Sequence, residues 1–550
     1  MNAALIVGFV AVLLLQLPAF AESPVPFELI LQGGSIVDGT GNPWYRADIG
    51  IRDGLIVEIG DLSSRATRRS LPLQGNVVAP GFIDMLVGSS LPLWLDPRNA
   101  ESELLQGVTT IVVGEGDSMA PQNERTLGDF PPSDNLPVWH RYSEYFTLLE
   151  KTGIALNVVH NVGATQVRRI VIGEENQPPK PEQLSRMKDL VADAMRDGAV
   201  GLSTALIYPP GIYAKPDEII ELAKVAAQFN GVYFTHIRNE SGQLLDGIRE
   251  AIRVGEQAHI PVHIYHLKAA GEENWSLMPK ALQLIQEARD RGLDITADIY
   301  PYVRNGIGLD SFIHPRHFAG DREAFLRSLS DSRVRTLLRR EIETTSDWEN
   351  WYLHVGKNWD NVLVAKVGQG IDRHYEGKSI QQIALARHED PWKVFFDLVP
   401  QGDIDVNPKS MNEDQKRQAL QAGFVCIGSD SAPSNAATTT NAHPRAFGTF
   451  PRVIAKYVRE EKVIRLEEAI RLMTSLPANI LRLPNRGRIS TGMAADLVIL
   501  DPASVRDTAT FEHPVTYPVG IEFVLVNGAM AVENGKMKDS HSGRIIRHIR

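Results

Sequence analysis

Two histidines close two apolar runs of the chain. Residues 232–236 read VYFTH and residues 260–266 read IPVHIYH, β-branched and aromatic stretches that end in His236 and His266. Between them, residues 242–257 place Leu244, Leu245, Ile248 and Ile252 at the spacing of an amphipathic helix. A strand, a helix and a second strand form a unit that favours a parallel sheet. In a (β/α)8 barrel the C-terminal ends of the strands face the active site. Two imidazoles at successive strand ends would point into one cavity, and imidazole pairs there are good ligands for a divalent metal. The competing reading is a pair of hydrogen-bonded core histidines. Their equivalent positions weigh against it, as does the cation that follows each, Arg238 and Lys268.

The rest of the chain supplies the elements such a site needs. Residues 27–60 read as short alternating strands punctuated by Gly-Gly, Asp-Gly and Gly-Asp turns. The same texture returns at 496–501 and 521–535, with an Asn-Gly turn at Asn527-Gly528. Two β-rich ends around a long α/β middle suggest one small β-sandwich assembled from both termini, the alternative being two separate caps. The middle opens with NVVAPGFIDMLVGSS and GVTTIVVGEGDSMAP, the second strand closing on a Gly-rich turn that contains Glu115. Further strand candidates lie at 157–162, 198–203, 232–236, 262–266, 294–299 and 424–428, most separated by helical patterns. Eight strands alternating with helices predict an α/β chain with a TIM-like (β/α)8 barrel. The charged, Trp-containing stretch at about 311–360 fits no single strand–helix unit and reads as a lid-like insertion. The expected organisation is a signal peptide at 1–21 and a sandwich part at 26–78. The barrel follows at 79–480, and a second sandwich part at 481–540.

Composition narrows the function. The 550 residues carry a net charge of −10, and the one basic cluster is the tail at 544–550, which argues against nucleic-acid binding. Residues 1–21 bear no charged side chain and end in Pro18 and Ala19-Phe20-Ala21, a small-x-small cleavage pattern. Export to the periplasm or medium is the expectation, with no stable membrane association after cleavage. An uncleaved anchor is the alternative, because the leader lacks a basic n-region, and no following cysteine supports a lipid anchor. The sole cysteine, Cys426, allows no intramolecular disulfide.

In order along the chain, APGFID, GVTT, GLSTALIYPPG, THIRNES, HLKAAG, GSDSAP, HPRAFGTFPRV and MTSLPAN resemble the amidohydrolase superfamily. More narrowly, they resemble the N-acyl-D-amino-acid deacylases (D-aminoacylases). The similarity runs from about Phe27 to Val532; each motif is weak alone and the ordered set is specific. The resemblance implies a metal-dependent barrel with a small β-sandwich and a small-molecule N-acyl amino acid as substrate. It implies that His236 and His266 hold the metal. It makes Asp430 the general base that takes a proton from the attacking water and passes it to the leaving amine. Lys268, Arg238, Tyr302 and Arg445 fall in segments that hold the substrate carboxylate or line the pocket, and Tyr208 falls in the side-chain pocket. His263 reads as structural, His443 as a loop residue near the mouth, and His160 as a residue at a strand end.

The chain departs from the family pattern twice. Leu86 and Gly88 stand where the family has an HxH pair on the first barrel strand, and neither binds metal. At most one metal is expected, taken as Zn2+. Gly114-Glu115-Gly116 stands where many members have Asn-Cys. A His2Glu set with one open position is an established zinc arrangement, so Glu115 is the expected third ligand. The function implied is hydrolysis of N-acyl-D-amino acids. The alternatives are a related hydrolase of dipeptides or cyclic amides, and a catalytically inactive ligand-binding barrel, which the missing HxH pair motivates. No feature of the sequence bears on oligomeric state.

Overall fold

The computed structural model describes residues 26–128, 137–318, 321–368, 370–437, 439 and 443–548. The expected leader at 1–21 lies outside the described residues.

Eight parallel strands form the centre of the molecule: Phe82–Val87, Val108–Val113, Asn157–His160, Gly201–Ala205, Val232–His236, Val262–Ile264, Ile295–Ile299 and Val425–Ile427. Successive strands pair in parallel, with Val200 N donating to His160 O where the third meets the fourth. The ring closes between the eighth strand and the first. Asp430 N donates to Leu86 O at 2.9 Å, and Gly88 N donates to Ser431 O at 2.8 Å. The barrel strands are buried throughout and read as apolar runs because helices cover their outer faces. The long outer helices Pro181–Asp197, Pro216–Gln228 and Leu244–Ala258 bury one apolar stripe each.

The β-rich ends meet in one sheet. Val77–Pro80 pairs antiparallel with Leu497–Leu500, so strands from both termini join a nine-stranded ladder. Leu31, Ile51, Ile56, Leu497 and Leu525, from strands that are not all neighbours, share one core, so this sheet folds over its own apolar face.

Two boundaries differ from the sequence reading. The insertion expected at about 311–360 is a larger unit with its own core, from Ile307 to Val406. Asp405–Pro408 pairs antiparallel with both Ile307–Gly308 and Val362–Lys366, and that returning strand closes the unit. A strand whose partners lie so far upstream leaves no local signal. The second boundary is the expected end of the sandwich at residue 540, beyond which the basic tail continues in ordered contact. Ile545 bridges Val158 in parallel, Gly543 N donates to Ile154 O, and His548 N donates to Gly198 O, so the tail docks on the barrel.

Candidate metal centre and active site

The expected residues meet at the C-terminal mouth of the barrel, each following a different strand. Glu115 leaves the second strand on a turn that glycine makes possible. Gly114 and Gly116 have φ of 106° and 75°, and a Cβ at Gly116 would lie 2.7 Å from Ala205. Gly116 N donates to Ser203 Oγ at 3.1 Å, which fixes the turn. His236 is the last residue of the fifth strand. The sixth strand stops at Ile264, two residues before His266, so alternation along the strand does not aim that ring. Instead His266 turns inward at φ 33°, with its N–H donating to Asp298 Oδ1 at 2.8 Å. The same carboxylate holds His263 Nε2 at 2.9 Å, so His263 is a structural partner of the site.

The ligand geometry is compact. Glu115 Oε1 lies 2.8 Å from His236 Nδ1 and 2.9 Å from His266 Nε2, and the three ligand atoms fall within 4.8 Å of one another. Burial opposes ionisation of Glu115, yet the two imidazoles hold its carboxyl well below the usual range. The outer nitrogens of both rings face one further carboxylate. Glu240 Oε1 is 2.9 Å from His266 Nδ1, and Glu240 Oε2 is 3.6 Å from His236 Nε2, which has no hydrogen-bond partner. Such an outer carboxylate sets the tautomer that turns a ring lone pair inward. One carboxylate oxygen and two imidazole nitrogens form a donor set that fits zinc.

Lys268 lies in the cavity wall and is 2% exposed. Its ammonium donates to Glu240 Oε1 at 2.5 Å, with its nitrogen 2.7 Å from His266 Nδ1, so it fixes the carboxylate that orients both rings. Glu240 therefore supports both histidines and neutralises a buried lysine. Glu240→Gln is expected to weaken zinc binding 10- to 100-fold in a chelator competition. It should also cost about 3–5 kcal/mol in denaturant unfolding, because Lys268 is left buried without its counter-charge.

Asp430 stands opposite, at φ 53° after the eighth strand, its Oδ2 accepting from Arg445 Nη1 at 2.6 Å. Burial pushes the Asp430 carboxyl above its ordinary value, against the pull of Arg445. The other Nη of Arg445 lies over Gly306, where a Cβ would stand 3.1 Å away. His443, expected near the mouth, accepts the backbone N–H of Arg445 on its Nδ1 at 3.1 Å. His160 is buried far from this group, on Ser90 Oγ at 3.0 Å among Tyr142, Tyr145 and Phe146.

Two expected pocket residues lie outside the metal cavity, Arg238 in the wall of a neighbouring one. Arg238 is spent on Glu250 at 2.8 Å and on the carbonyl oxygens of Ile212 and Ala214, outside the metal cavity. Tyr302 is buried against Arg452, His443 and Phe511, with its hydroxyl on Pro444 O. The tyrosine in the cavity is Tyr300, held under Arg445 at 5.1 Å and Lys416 at 4.8 Å. Tyr208 does line the cavity, its ring 5.6 Å from that of His236. The sequence reading missed Glu240, Tyr300 and Trp351. Glu240 had a signal, a carboxylate four residues after His236 in THIRNES. Trp351 had none, since the insertion brings it to the cavity from a distant segment.

Comparison with known proteins finds relatives over nearly the whole chain. The amidohydrolase family profile matches residues 355–532. A D-aminoacylase of Alcaligenes xylosoxydans xylosoxydans is 34% identical over 95% of this chain and 98% of its own. Among solved structures, a D-aminoacylase studied for its binuclear metal centre, with one-metal activation and second-metal attenuation, superposes with a TM-score of 0.79. It is 30% identical, over 95% of this chain and 100% of that one. An N-acyl-D-glutamate deacylase of Bordetella bronchiseptica, complexed with zinc and a phosphonate mimic of the tetrahedral intermediate, gives 0.80 at 29% identity over the same shares. With the barrel, the mouth residues and the near full-length identity in agreement, the chain belongs to the amidohydrolase superfamily, among its N-acyl-D-amino-acid deacylases.

Proposed function

We infer that this chain hydrolyses the amide bond of N-acyl-D-amino acids, releasing a carboxylate and a free D-amino acid. The observation that carries the reading is the convergence of Glu115, His236 and His266 on one point, with the Asp430–Arg445 pair across the same mouth. Glu115, His236 and His266 would hold the metal. A divalent ion bound there supplies Lewis acidity, polarising the carbonyl and lowering the pKa of water from about 15.7 toward 7. The chain's own groups do the rest. Asp430 accepts the proton of the attacking water and delivers it to the leaving nitrogen. Arg445, with donors beyond those given to Asp430, offers a planar fork to the substrate carboxylate. Tyr300 and the remaining donors of Lys268 face the same space, and Trp351 with Tyr208 narrows it. The test is turnover of N-acetyl-D-amino acids against their L forms, dipeptides and cyclic imides. Preference for either of the last two classes would replace this reading.

We further propose zinc, one per chain. Leu86 is buried and its carbonyl oxygen is engaged by Asp430, and Gly88 offers no side chain, so the first strand contributes no ligand. Asp84, two residues earlier, gives its Oδ1 to Leu86 N and Ser429 N and does not line the metal cavity. Titrating the metal-free protein with zinc should bring activity to a plateau at one equivalent. No attenuation should follow at excess metal; a second bound equivalent or inhibition by it would overturn the stoichiometry. The proposed location is the periplasm or medium, supported by residues 1–21, and a mature N-terminus at Glu22 would test it. No helix among the described residues is long and apolar enough to cross a membrane.

A further inference from the structure

Beside the metal cavity lies a second, larger one of about 860 Å³, between the barrel mouth and the insertion. Tyr208 and Trp351 line both, so the two spaces share a wall. The larger cavity is far roomier than an acetyl group or an alanine methyl requires, and lies at the upper end of small-molecule sites. Much of its lining is apolar: Ile207, Pro209, Ile212, Ile313, Trp348 and Trp351.

Its charges are largely paired within the wall. Arg238 is held by Glu250 at 2.8 Å and Arg322 by Asp310 at 2.7 Å, all four being lining residues. Asp347 adds negative charge, burial pushes the Glu349 carboxyl up to about 8 and leaves it largely neutral, and among the described lining residues Lys215 is the one Lys or Arg not engaged by a carboxylate. A substrate carboxylate placed here would lose water, meet like charge and find both arginines taken.

We propose that this cavity sets substrate choice: it takes a long apolar or aromatic substituent of the N-acyl-D-amino acid and rejects one that ends in a carboxylate. The proposal rests on the deacylase reading above. That substituent is either the amino-acid side chain or the acyl chain, since both have the required chemistry.

Two substrate series on the full-length, zinc-loaded protein separate these sources. One lengthens the side chain of N-acetyl-D-amino acids from alanine through norvaline and norleucine to phenylalanine. The other lengthens the acyl group of N-acyl-D-alanine from acetyl to hexanoyl. In the series whose growing end enters the cavity, kcat/KM should rise about fourfold per methylene. A counterpart of similar length ending in a carboxylate, such as N-acetyl-D-glutamate or N-adipoyl-D-alanine, should fall at least about tenfold below its apolar partner. Ile212→Lys, which adds a free cation to the wall, should raise turnover of that counterpart and lower that of the apolar partner. This gain cannot arise from misfolding. Rates independent of length in both series, or a preference for the carboxylate-ended compounds that Lys215→Ala removes, would overturn the proposal and leave the deacylase reading standing. Failure to hydrolyse any N-acyl-D-amino acid, short ones included, would remove both.

Discussion

Asp430→Asn is expected to lower kcat by about 10²–10⁴-fold, the usual share of a general acid–base group. Zinc content should be unchanged, because Asp430 lies outside the ligand set of Glu115, His236 and His266. Asparagine is the informative substitution. It tolerates the left-handed backbone that Asp430 adopts at φ 53°, and its side-chain oxygen can still accept from Arg445. The loss therefore reports the missing proton acceptor rather than a distorted loop. A pH profile adds a second readout. Burial raises the Asp430 carboxyl while Arg445 opposes the rise, so the group is protonated at pH values where an ordinary aspartate is already ionised. A base must be ionised to act. The parent's kcat should fall on an acidic limb as pH drops and the Asp430 carboxylate takes up a proton. The same limb should be missing from Asp430→Asn. A variant with kcat within threefold of the parent would remove Asp430 from the mechanism.

His236→Ala should release the metal. It deletes one of three ligands and leaves Glu115, now held by two imidazoles, with one. Losing an outer partner of a ligand costs about 10- to 100-fold in affinity, so losing the ligand should exceed about 100-fold. Metal analysis after dialysis should find near-zero zinc, and turnover should vanish with it. The parent should lose activity on chelation and recover it when zinc is returned. Undiminished zinc in the variant would sink the ligand assignment.

The fold was largely legible because its signals are local. Each barrel strand is a short apolar run bounded by turn residues, and each outer helix shows its 3.6-residue stripe, so the αβ alternation can be counted along the chain. The insertion was not legible beyond its first half, since Asp405–Pro408 becomes part of it only by pairing with strands far upstream. The docked tail at Gly543–His548 is the same case.

For the site, residue types and strand-end positions pointed His236 and His266 to one mouth, and the family resemblance added Glu115 and Asp430. Barrel topology places every strand's C-terminal end there, whatever the side chains do next. The tertiary structure decided which neighbouring polar groups serve that mouth. Arg238 and Arg445 are the same chemistry in sequence, yet one is consumed by Glu250 on an adjoining helix and the other is bonded to Asp430 beside the metal cavity. Tyr300 and Tyr302 stand two residues apart, and packing against Arg452, His443 and Phe511 withdraws the second while the first lines the site. Long side chains are aimed by partners remote in sequence, and a linear chain does not display those partners until it has folded.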